Sequence, residues 1–386
     1  MQKKIQLVVI LMWCFFSTNC FASDSINADE VIRIQLEMFN WEEIEKLEQQ
    51  LQQSVPELSE FDLREEVSLI LSGQSRWQLG DILGFIVNRL LGEFFTYISV
   101  VIRFILIIIV CNILSNLSSA FESDNTTKVA FFVCNIVVLY SLMQSLILVV
   151  DLAYSTIETL QSIMLVILPT ILAFMASSGY IATSAALSPI IVTGLTVITF
   201  VIQNLMLPSV VGIIVLQVIS NMSDEFKIDK FIQLYYKISK WMLKTIFFAS
   251  IALMGIYRMS LPFVDTTMKR VGVTLSAKFI PILGSAVSGA IDMIIGISGM
   301  IKNAFGFGVI VWIVLLVSMP LIKMLAYTLL YYFAGAIIEP IGDKKMANIA
   351  TDIAKGCEFV MSIVGVVAIL CTLAVAICMS IGASLM

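Results

Sequence analysis

Long apolar runs recur along this chain and constrain its fold more than any other feature. Hydrophobic side chains make up 59% of the residues and charged side chains 13%, a composition unlike that of a soluble domain. A membrane-spanning helix needs about 20 residues, and several of the runs are shorter. The sequence therefore predicts an all-α, polytopic helical membrane protein with about 8 to 10 transmembrane or re-entrant segments. The predicted bounds are Phe94–Leu117, Val129–Val150, Ile157–Met175, Ala186–Met206, Val210–Met222, Met242–Leu261, Phe279–Met300, Gly308–Leu321, Met324–Ile338 and Glu358–Ser380.

The first 22 residues have the pattern of a secretory signal peptide. Lys3 and Lys4 precede an apolar core from Ile5 to Phe16, and the segment ends in small residues at Ala22. An uncleaved first span is the alternative, although the apolar core is short and a polar, acidic segment follows it. In either case the mature N-terminus is expected outside the cytoplasm.

Residues 23–77 are predicted to form an exported, acidic, amphipathic helical segment. Its thirteen acidic and four basic side chains are interleaved with apolar residues at helical spacing, among them Trp41 and Ile44. Two uses remain open, a docking arm for an extracytoplasmic partner and a solvated hairpin that lies over the membrane domain. Residues 78–93 are predicted to form an interfacial helix, and residues 94–386 the multispan membrane domain.

Two basic connections predict the orientation of the chain. Five lysines lie between Lys227 and Lys244, and three more between Lys344 and Lys355. The positive-inside rule places both connections in the cytoplasm, which agrees with an exported N-terminus if ten spans, or a matching mixture with re-entrant pieces, are counted. The first connection, with Trp241 as anchor, predicts a basic helix on the inner leaflet of the lipid bilayer. Docking of a cytoplasmic partner is the alternative use.

The chain contains no histidine, which excludes histidine-based catalytic triads and histidine-ligated zinc. Residues 296–299 read GxSG, as around the nucleophile of rhomboid-type intramembrane proteases, but those enzymes need a histidine base. No clustered Lys/Arg footprint of a nucleic-acid binder is present. We therefore predict no enzymatic activity, no cofactor or metal site and no nucleic-acid partner. Five cysteines lie in or beside apolar runs without metal-ligand spacing and are predicted to be buried: Cys111, Cys134, Cys357, Cys371 and Cys378.

The segment from Phe279 to Asn303 places small residues and one carboxylate on a single helical face. Steps of three and four residues join Ser285, Gly289, Asp292, Gly296, Gly299 and Asn303. The small residues Ser285, Gly289, Gly296 and Gly299 predict a helix-packing face. Asp292 would need a partner in a membrane, and by depth the nearest is Lys323. The alternative is a packing seam with one hydrogen-bonded carboxylate.

Four prolines are predicted hinges, since proline interrupts helical hydrogen bonding: Pro169, Pro208, Pro281 and Pro320. A shift of 112 residues superposes Pro169 on Pro281 and Pro208 on Pro320. Transporter folds often contain such internal repeats. Chance coincidence within ordinary membrane composition is the alternative explanation.

Several motifs together give the chain a family resemblance. They are Leu168 to Ala173 continuing to Gly179, Val201 to Asn204 continuing to Pro208, Ser223 to Lys227, Asp292 followed by Lys302 to Ala304, and Pro320 to Lys323 continuing to Glu339 to Gly342. With these motifs and its overall layout, the chain resembles the stage III sporulation protein AE family of endospore-forming Firmicutes. The resemblance covers most of the chain from about Phe94 onward.

The resemblance implies a component of the complex built between the mother cell and the engulfed forespore. It implies a multi-pass protein of the mother-cell membrane that faces the forespore. The implied partners are other stage III sporulation membrane proteins, including ring-forming proteins, and a cytoplasmic ATPase. The family has no assigned catalytic residue. Asp292, Lys302, Asn303 and Lys323 occupy positions where the family has like residues, without a known role.

Two hypotheses follow for the function. In the first, the protein forms or supports a transmembrane conduit of the channel, or feeding tube, with Asp292, Lys323, Lys302 and Asn303 along or gating the pathway. In the second, it is a non-conducting membrane scaffold that recruits the ring and ATPase components.

Overall fold

A computed structural model describes residues 32, 41–54, 61–73, parts of 84–113, 124–222, 228–260, 265, 284–341 and 344–381. Within these ranges some side chains are not described, among them those of residues 284–292. The described residues are almost all helical and none lies in a strand, which confirms the predicted all-α class. The predicted signal peptide lies outside the described residues. Every helix below belongs to one compact unit, Phe39–Met386.

Eight α-helices and one short π-helix are described over their full length. They are α1 Trp41–Ser54, α2 Leu63–Leu71, α3 Asp124–Ser177, α4 Ile181–Val201, the π-helix Ile202–Met206, α5 Leu207–Met222, α6 Asp229–Ser260, α7 Gly284–Ile341 and α8 Lys344–Ser380. Parts of residues 84–113 are also helical.

Five stretches of the described residues are long and apolar enough to cross a membrane. They are Met143–Ser177, Ile181–Asn221, Asp229–Met259, Met293–Pro340 and Lys344–Ser380. This confirms a polytopic helical membrane protein. At about 1.5 Å per residue each stretch exceeds the roughly 30 Å of a hydrocarbon core, so these helices extend beyond it.

The helix boundaries differ from the predicted ones because the structure joins segments that the sequence separates. Val129–Val150 and Ile157–Met175 lie in one helix of 54 residues, α3. From Gly284 onward, the three predicted segments between Phe279 and Ile338 fall in α7, a helix of 58 residues that continues through Pro320; residues 279–283 lie outside the described residues. Single charged or proline residues do not end these helices, since neighbouring helices cover their apolar sides. The 112-residue repeat is not confirmed.

Helices α7 and α8 form the central antiparallel pair, and two glycines set their close approach. A Cβ added at Gly335 would lie 2.7 Å from Thr351 Oγ1, and one added at Gly306 would lie 2.3 Å from Met379 Cγ. On the opposite side of α8, a Cβ at Gly356 would lie 2.0 Å from Ile214 Cδ1. At Gly335 the added Cβ would also lie 3.3 Å from the backbone oxygen of Ala347, so the backbones of α7 and α8 approach closely there, as is usual for membrane helices, whereas Gly306 and Gly356 make room for neighbouring side chains.

The bundle has two distinct ends. At the basic end, which carries Asp229 and Lys344 at the starts of α6 and α8, Asn221 of α5 reaches Asp352 of α8. At the other end, which we call the hairpin end because the hairpin of α1 and α2 contacts Phe305 there, the rings of Phe174 and Phe305 lie 5.5 Å apart and join the end of α3 to α7. The chain passes between these ends in alternating directions.

The turn from α3 to α4 is a Schellman motif centred on Gly179. This glycine has φ of 82°, a left-handed conformation that favours a residue without Cβ. The N–H groups of Gly179 and Tyr180 donate to the carbonyls of Ala176 and Met175. Two carbonyls at the end of α3 are thereby satisfied without water.

The start of α4 is capped by a residue distant in sequence. Tyr180 precedes α4 and makes no side-chain capping bond. The carboxylate of Asp265, 3% exposed, instead accepts from the backbone N–H groups of Ala182 and Thr183 at 2.9 and 2.8 Å. A carboxylate at a helix N-terminus satisfies free N–H groups and interacts favourably with the helix dipole.

The π-helix between α4 and α5 frees one backbone carbonyl. The N–H of Leu207 donates to Ile202 in the π pattern, and Pro208 has no N–H to offer the next carbonyl. The hydroxyl of Tyr154 on α3 donates to that carbonyl, which belongs to Gln203. The helix can thus continue through Pro208 inside the bundle, where an unpaired carbonyl would cost free energy.

Candidate functional site

A strip of exposed polar side chains runs along one side of the apolar helix α3. We call it the α3 polar face; its exposed members follow at steps of four, three and four residues and are Asp151, Ser155, Glu158 and Ser162. Neither carboxylate pairs with a basic side chain of the described residues. The two hydroxyls donate to carbonyls of their own helix.

The α3 polar face lies within a stretch whose length and hydropathy suit a membrane span. The opposite side of the helix is buried in the bundle through residues such as Ala153, Ile157 and Leu160. An ionised carboxylate is costly against lipid, so such groups face a bundle interior or water. The α3 polar face is thus unsuited to contact with lipid tails.

The structure does not bring Asp292 and Lys323 together. Both lie on α7, and at about 1.5 Å per residue their positions are separated by roughly 45 Å along its axis. The side chain of Asp292 is outside the described residues. Lys323 Nζ instead lies 4.0 Å from Glu93 Oε1, with both side chains partly exposed. Pairing of Asp292 with Lys323 within one chain is therefore wrong, because one continuous helix holds them apart.

Lys302 is among the most buried side chains of the bundle, with 2% exposed. Its ammonium group donates to the carbonyl of Ile381, just beyond the end of α8. The last carbonyls of a helix lack N–H partners, and a cation there satisfies them and interacts favourably with the helix dipole. Lys302 thereby attaches the end of α8 to α7.

Asn303 follows Lys302 and has a buried side-chain oxygen, Oδ1, without a hydrogen-bond partner among the described residues. Gly296 and Gly299 face open space, since an added Cβ would meet no described atom within 4 Å. Ser285 and Gly289 lie on α7, but the structure does not describe their surroundings. A packing face at these four positions stays a prediction.

The predicted hinge prolines lie in different surroundings. Pro169 and Pro320 are inside the continuous helices α3 and α7, and Pro208 lies at the start of α5 after the π-helix. Pro281 lies outside the described residues. Hinge motion at these positions stays a prediction.

Sequence reasoning missed a polar cluster at the basic end. Asp352 is 6% exposed, and its two carboxylate oxygens accept from Asn221 at 2.8 Å and Lys355 at 2.9 Å. Nearby, Ser220 donates to Asp229 at 2.6 Å. The spacing of three residues between Asp352 and Lys355 could have indicated their ion pair on one helix. The contact with Asn221 could not be predicted in this way, because it joins residues far apart in sequence. The hydrogen bond from Asn221 to Asp352 holds α5 against α8.

A cleft of about 300 Å³ opens at the basic end between α7 and α8, lined by Tyr332, Gly335, Ala336, Glu339, Lys344, Ala347, Asn348 and Thr351. Glu339, Lys344 and Asn348 on its rim are exposed, so the cleft belongs to the surface. Among the described residues, no three carboxylates or thiols are grouped closely enough to hold a metal ion.

The acidic hairpin, α1 and α2, packs against α7 through a buried aromatic cluster. Trp41 meets the ring of Phe305 edge-on at 5.8 Å, and Phe61 stacks on Trp312 at 6.2 Å. Leu63 of α2 is fully buried over Gly308. The apolar side of the hairpin is consequently covered by the membrane helices, and its acidic side is exposed.

Two carboxyl groups of the hairpin, those of Glu48 and Glu66, are buried rather than exposed. Glu48 is 7% exposed, and its Oε1 accepts from the backbone N–H of Leu63 at 2.8 Å. Burial raises the pKa of Glu48 to about 7, although the bond from Leu63 lowers it; the neighbouring Asp62 and Glu45 carboxylates raise it further. Between pH values of about 4.5 and 7, the Glu48 carboxyl is therefore mostly protonated when the hairpin is docked and mostly ionised when the chain is unfolded.

We expect docking of the hairpin to weaken as pH rises. Because the folded pKa of Glu48 lies above the unfolded value of 4.5, its stabilising contribution is complete below about 4.5 and is lost as pH rises toward about 7. Hydrogen exchange of α2 amides, corrected for intrinsic rates, should show protection falling across this range. Glu48→Gln should remove the dependence, and Glu43→Gln, at an exposed position of α1, should retain it. An identical pH dependence in Glu48→Gln would contradict the assignment.

The described helices are long and apolar, contact one another at glycines and have ends whose backbone groups are satisfied within the protein. These features define the chain as a multi-pass helical membrane protein. Residues 61–382 match the family model of stage III sporulation protein AE. The chain belongs to this family, and a sporulation role follows from it. A relative, the stage III sporulation protein AE of Bacillus subtilis (strain 168), is 25% identical over 278 residues, which cover 72% of this chain and 70% of the relative. No solved structure matches the chain.

Proposed function

We propose that the protein is an integral membrane component of the channel, or feeding tube, between mother cell and forespore, and that it forms part of a transmembrane conduit. The α3 polar face carries this proposal, because Asp151 and Glu158 are exposed on a span-length helix and are unsuited to lipid. In a conduit they would face water.

The proposed location is the mother-cell membrane facing the forespore, with the mature N-terminus and the hairpin end outside the cytoplasm. The lysines at the starts of α6 and α8 support this orientation, since basic residues favour the cytoplasmic side. The proposed partners are ring-forming proteins and a cytoplasmic ATPase, as the family resemblance implies. Asp292, the adjacent Lys302 and Asn303, and Lys323 remain proposed pathway or gating residues at three levels along α7.

The double variant Asp151→Asn/Glu158→Gln tests the conduit in sporulating cells. We expect late forespore reporter expression to fall to a small fraction of wild type while membrane abundance and recovery of partner proteins stay normal. Asp151→Glu/Glu158→Asp keeps both charges on the same face and should retain most expression. Full reporter expression in the neutral variant would show that the α3 polar face does not line a conduit. Asp292→Asn, measured in the same way, tests whether Asp292 is a pathway or gating residue.

The alternative is a non-conducting scaffold, and the exposed acidic side of the hairpin favours it. Deleting the hairpin would uncover Phe305 and Trp312 and confound the test with misfolding. Neutralising only exposed carboxylates, in Glu42→Gln/Glu43→Gln/Glu65→Gln, leaves the buried contacts in place. A scaffold predicts loss of partner recovery in this variant, and complete complexes would argue against it.

A further inference from the structure

Helix α6 is longer than a membrane requires, and its charges divide it into two parts. Its 32 residues extend about 48 Å, some 18 Å more than a hydrocarbon core. All four of its lysines lie between Lys230 and Lys244, and residues 245–257 carry no charge. The uncharged part alone extends only about 20 Å, so a core of about 30 Å would reach back to about Trp241, and the excess of about 18 Å corresponds to residues 229–240. Lys244 then lies about one turn inside the core, from which its long stem can reach the headgroup layer.

The basic part of α6, residues 229–244, has three distinct sides. One side is buried against the bundle through Ile232, Ser239 and Leu243. A second side exposes large apolar side chains, each at least half exposed: Phe231, Leu234, Ile238 and Trp241. The exposed lysines lie between these two sides and are Lys230, Lys237, Lys240 and Lys244.

Contacts with α8 hold the basic part of α6 in place, but the described carboxylates do not neutralise its lysines. Ring contact between Tyr236 and Phe359, at 5.3 Å, holds the helix to α8, and Lys240 Nζ lies 4.4 Å from the centre of the Tyr236 ring. None of the four ammonium groups pairs with a carboxylate of the described residues. The surface thus combines unpaired positive charge with an apolar strip that ends in an exposed tryptophan.

We propose that residues 229–244 of α6 bind anionic phospholipids in the headgroup layer at the basic end of the bundle. Trp241 and the apolar side chains would enter the boundary of the acyl chains, as aromatic and aliphatic residues of interfacial helices do. The lysine stems would lie along this boundary while their ammonium groups bind phosphate. Attraction of about 1 kcal/mol per lysine enriches anionic lipid roughly fivefold for each charge. Free phosphate alone would leave the apolar strip in water, and so the partner is a bilayer.

Fluorescence quenching in nanodiscs tests this proposal with the full chain. The signal of Trp241 is taken as the difference between the wild-type protein and Trp241→Phe. Brominated phosphatidylglycerol, at a fixed mole fraction in phosphatidylcholine, should quench this signal at least about twofold more than the same amount of brominated phosphatidylcholine, since the lysines enrich the anionic lipid. Added salt should reduce the difference by screening.

Matched variants distinguish charge from packing. Lys237→Gln/Lys240→Gln/Lys244→Gln should make the two brominated lipids equally effective, while the corresponding triple arginine variant should retain the preference. Lys344→Gln, an exposed lysine of α8, should also retain it. Equal quenching by both lipids in the wild type would overturn the proposal, as would an unchanged preference in the triple glutamine variant. Absence of quenching by either lipid would show that Trp241 does not reach the acyl chains and would likewise overturn the proposal.

Discussion

Leu63→Ala is expected to release the acidic hairpin from the bundle. The Leu63 side chain is fully buried and packs directly on Gly308, where an added Cβ would lie 3.0 Å from its Cδ1, so its truncation opens a cavity in a closely packed contact. Leucine-to-alanine changes in such positions cost about 2 to 5 kcal/mol. A loss of 2 kcal/mol corresponds to roughly 30-fold faster hydrogen exchange when exchange follows local opening. Mass spectrometry of peptides covering α1 and α2 measures this directly.

Ser68→Ala is the matched control for this experiment. Ser68 is exposed on the same helix, and its hydroxyl donates only to the carbonyl of Glu65. Exchange in α2 should remain close to wild type in this variant. If Leu63→Ala also exchanged at the wild-type rate, contact with α7 would not be what holds the hairpin.

Asp265→Ala should destabilise the start of α4. Two N–H groups, those of Ala182 and Thr183, would lose their acceptor in a buried place, at about 1 to 3 kcal/mol each. We expect a lower thermal unfolding temperature in detergent and faster exchange of the first turn of α4. The Schellman turn at Gly179 should be less affected, because its hydrogen bonds do not involve Asp265.

Asp265→Asn provides the graded comparison, since the amide keeps one acceptor oxygen and loses the charge. Its unfolding temperature should fall between those of the wild type and Asp265→Ala. Glu43→Ala removes an exposed carboxylate of α1 and should leave α4 unchanged. Equal stability of wild type and Asp265→Ala would show that water or another group can replace this cap.

Local sequence patterns predicted much of the architecture. The apolar periodicity of Trp41, Ile44 and Leu47 predicted the inner side of α1, and all three are buried. The composition predicted a multi-pass helical membrane protein, and the motifs predicted the family. These inferences succeeded because hydrophobic periodicity and span length depend on residues close together in sequence.

The candidate site was less accessible to such reasoning. Asp151 and Glu158 follow a helical period, but only the packing of α3 shows that their side faces away from the bundle. The expected Asp292 and Lys323 pair failed because a predicted break between apolar segments is a continuous helix in α7. Whether proline or charge ends a helix depends on neighbouring helices that satisfy its backbone and cover its sides.

The sequence by itself determined the membrane class, the family and the helical character of the apolar segments that the structure describes. Only the tertiary structure decided which segments join into one helix, that Asp265 caps α4, and that Glu48 and Glu66 are buried while the other described carboxylates of the hairpin are exposed. Helical propensity and hydropathy are properties of adjacent residues. Capping, burial of a carboxyl group and helix continuity instead depend on contacts between residues that the chain places far apart.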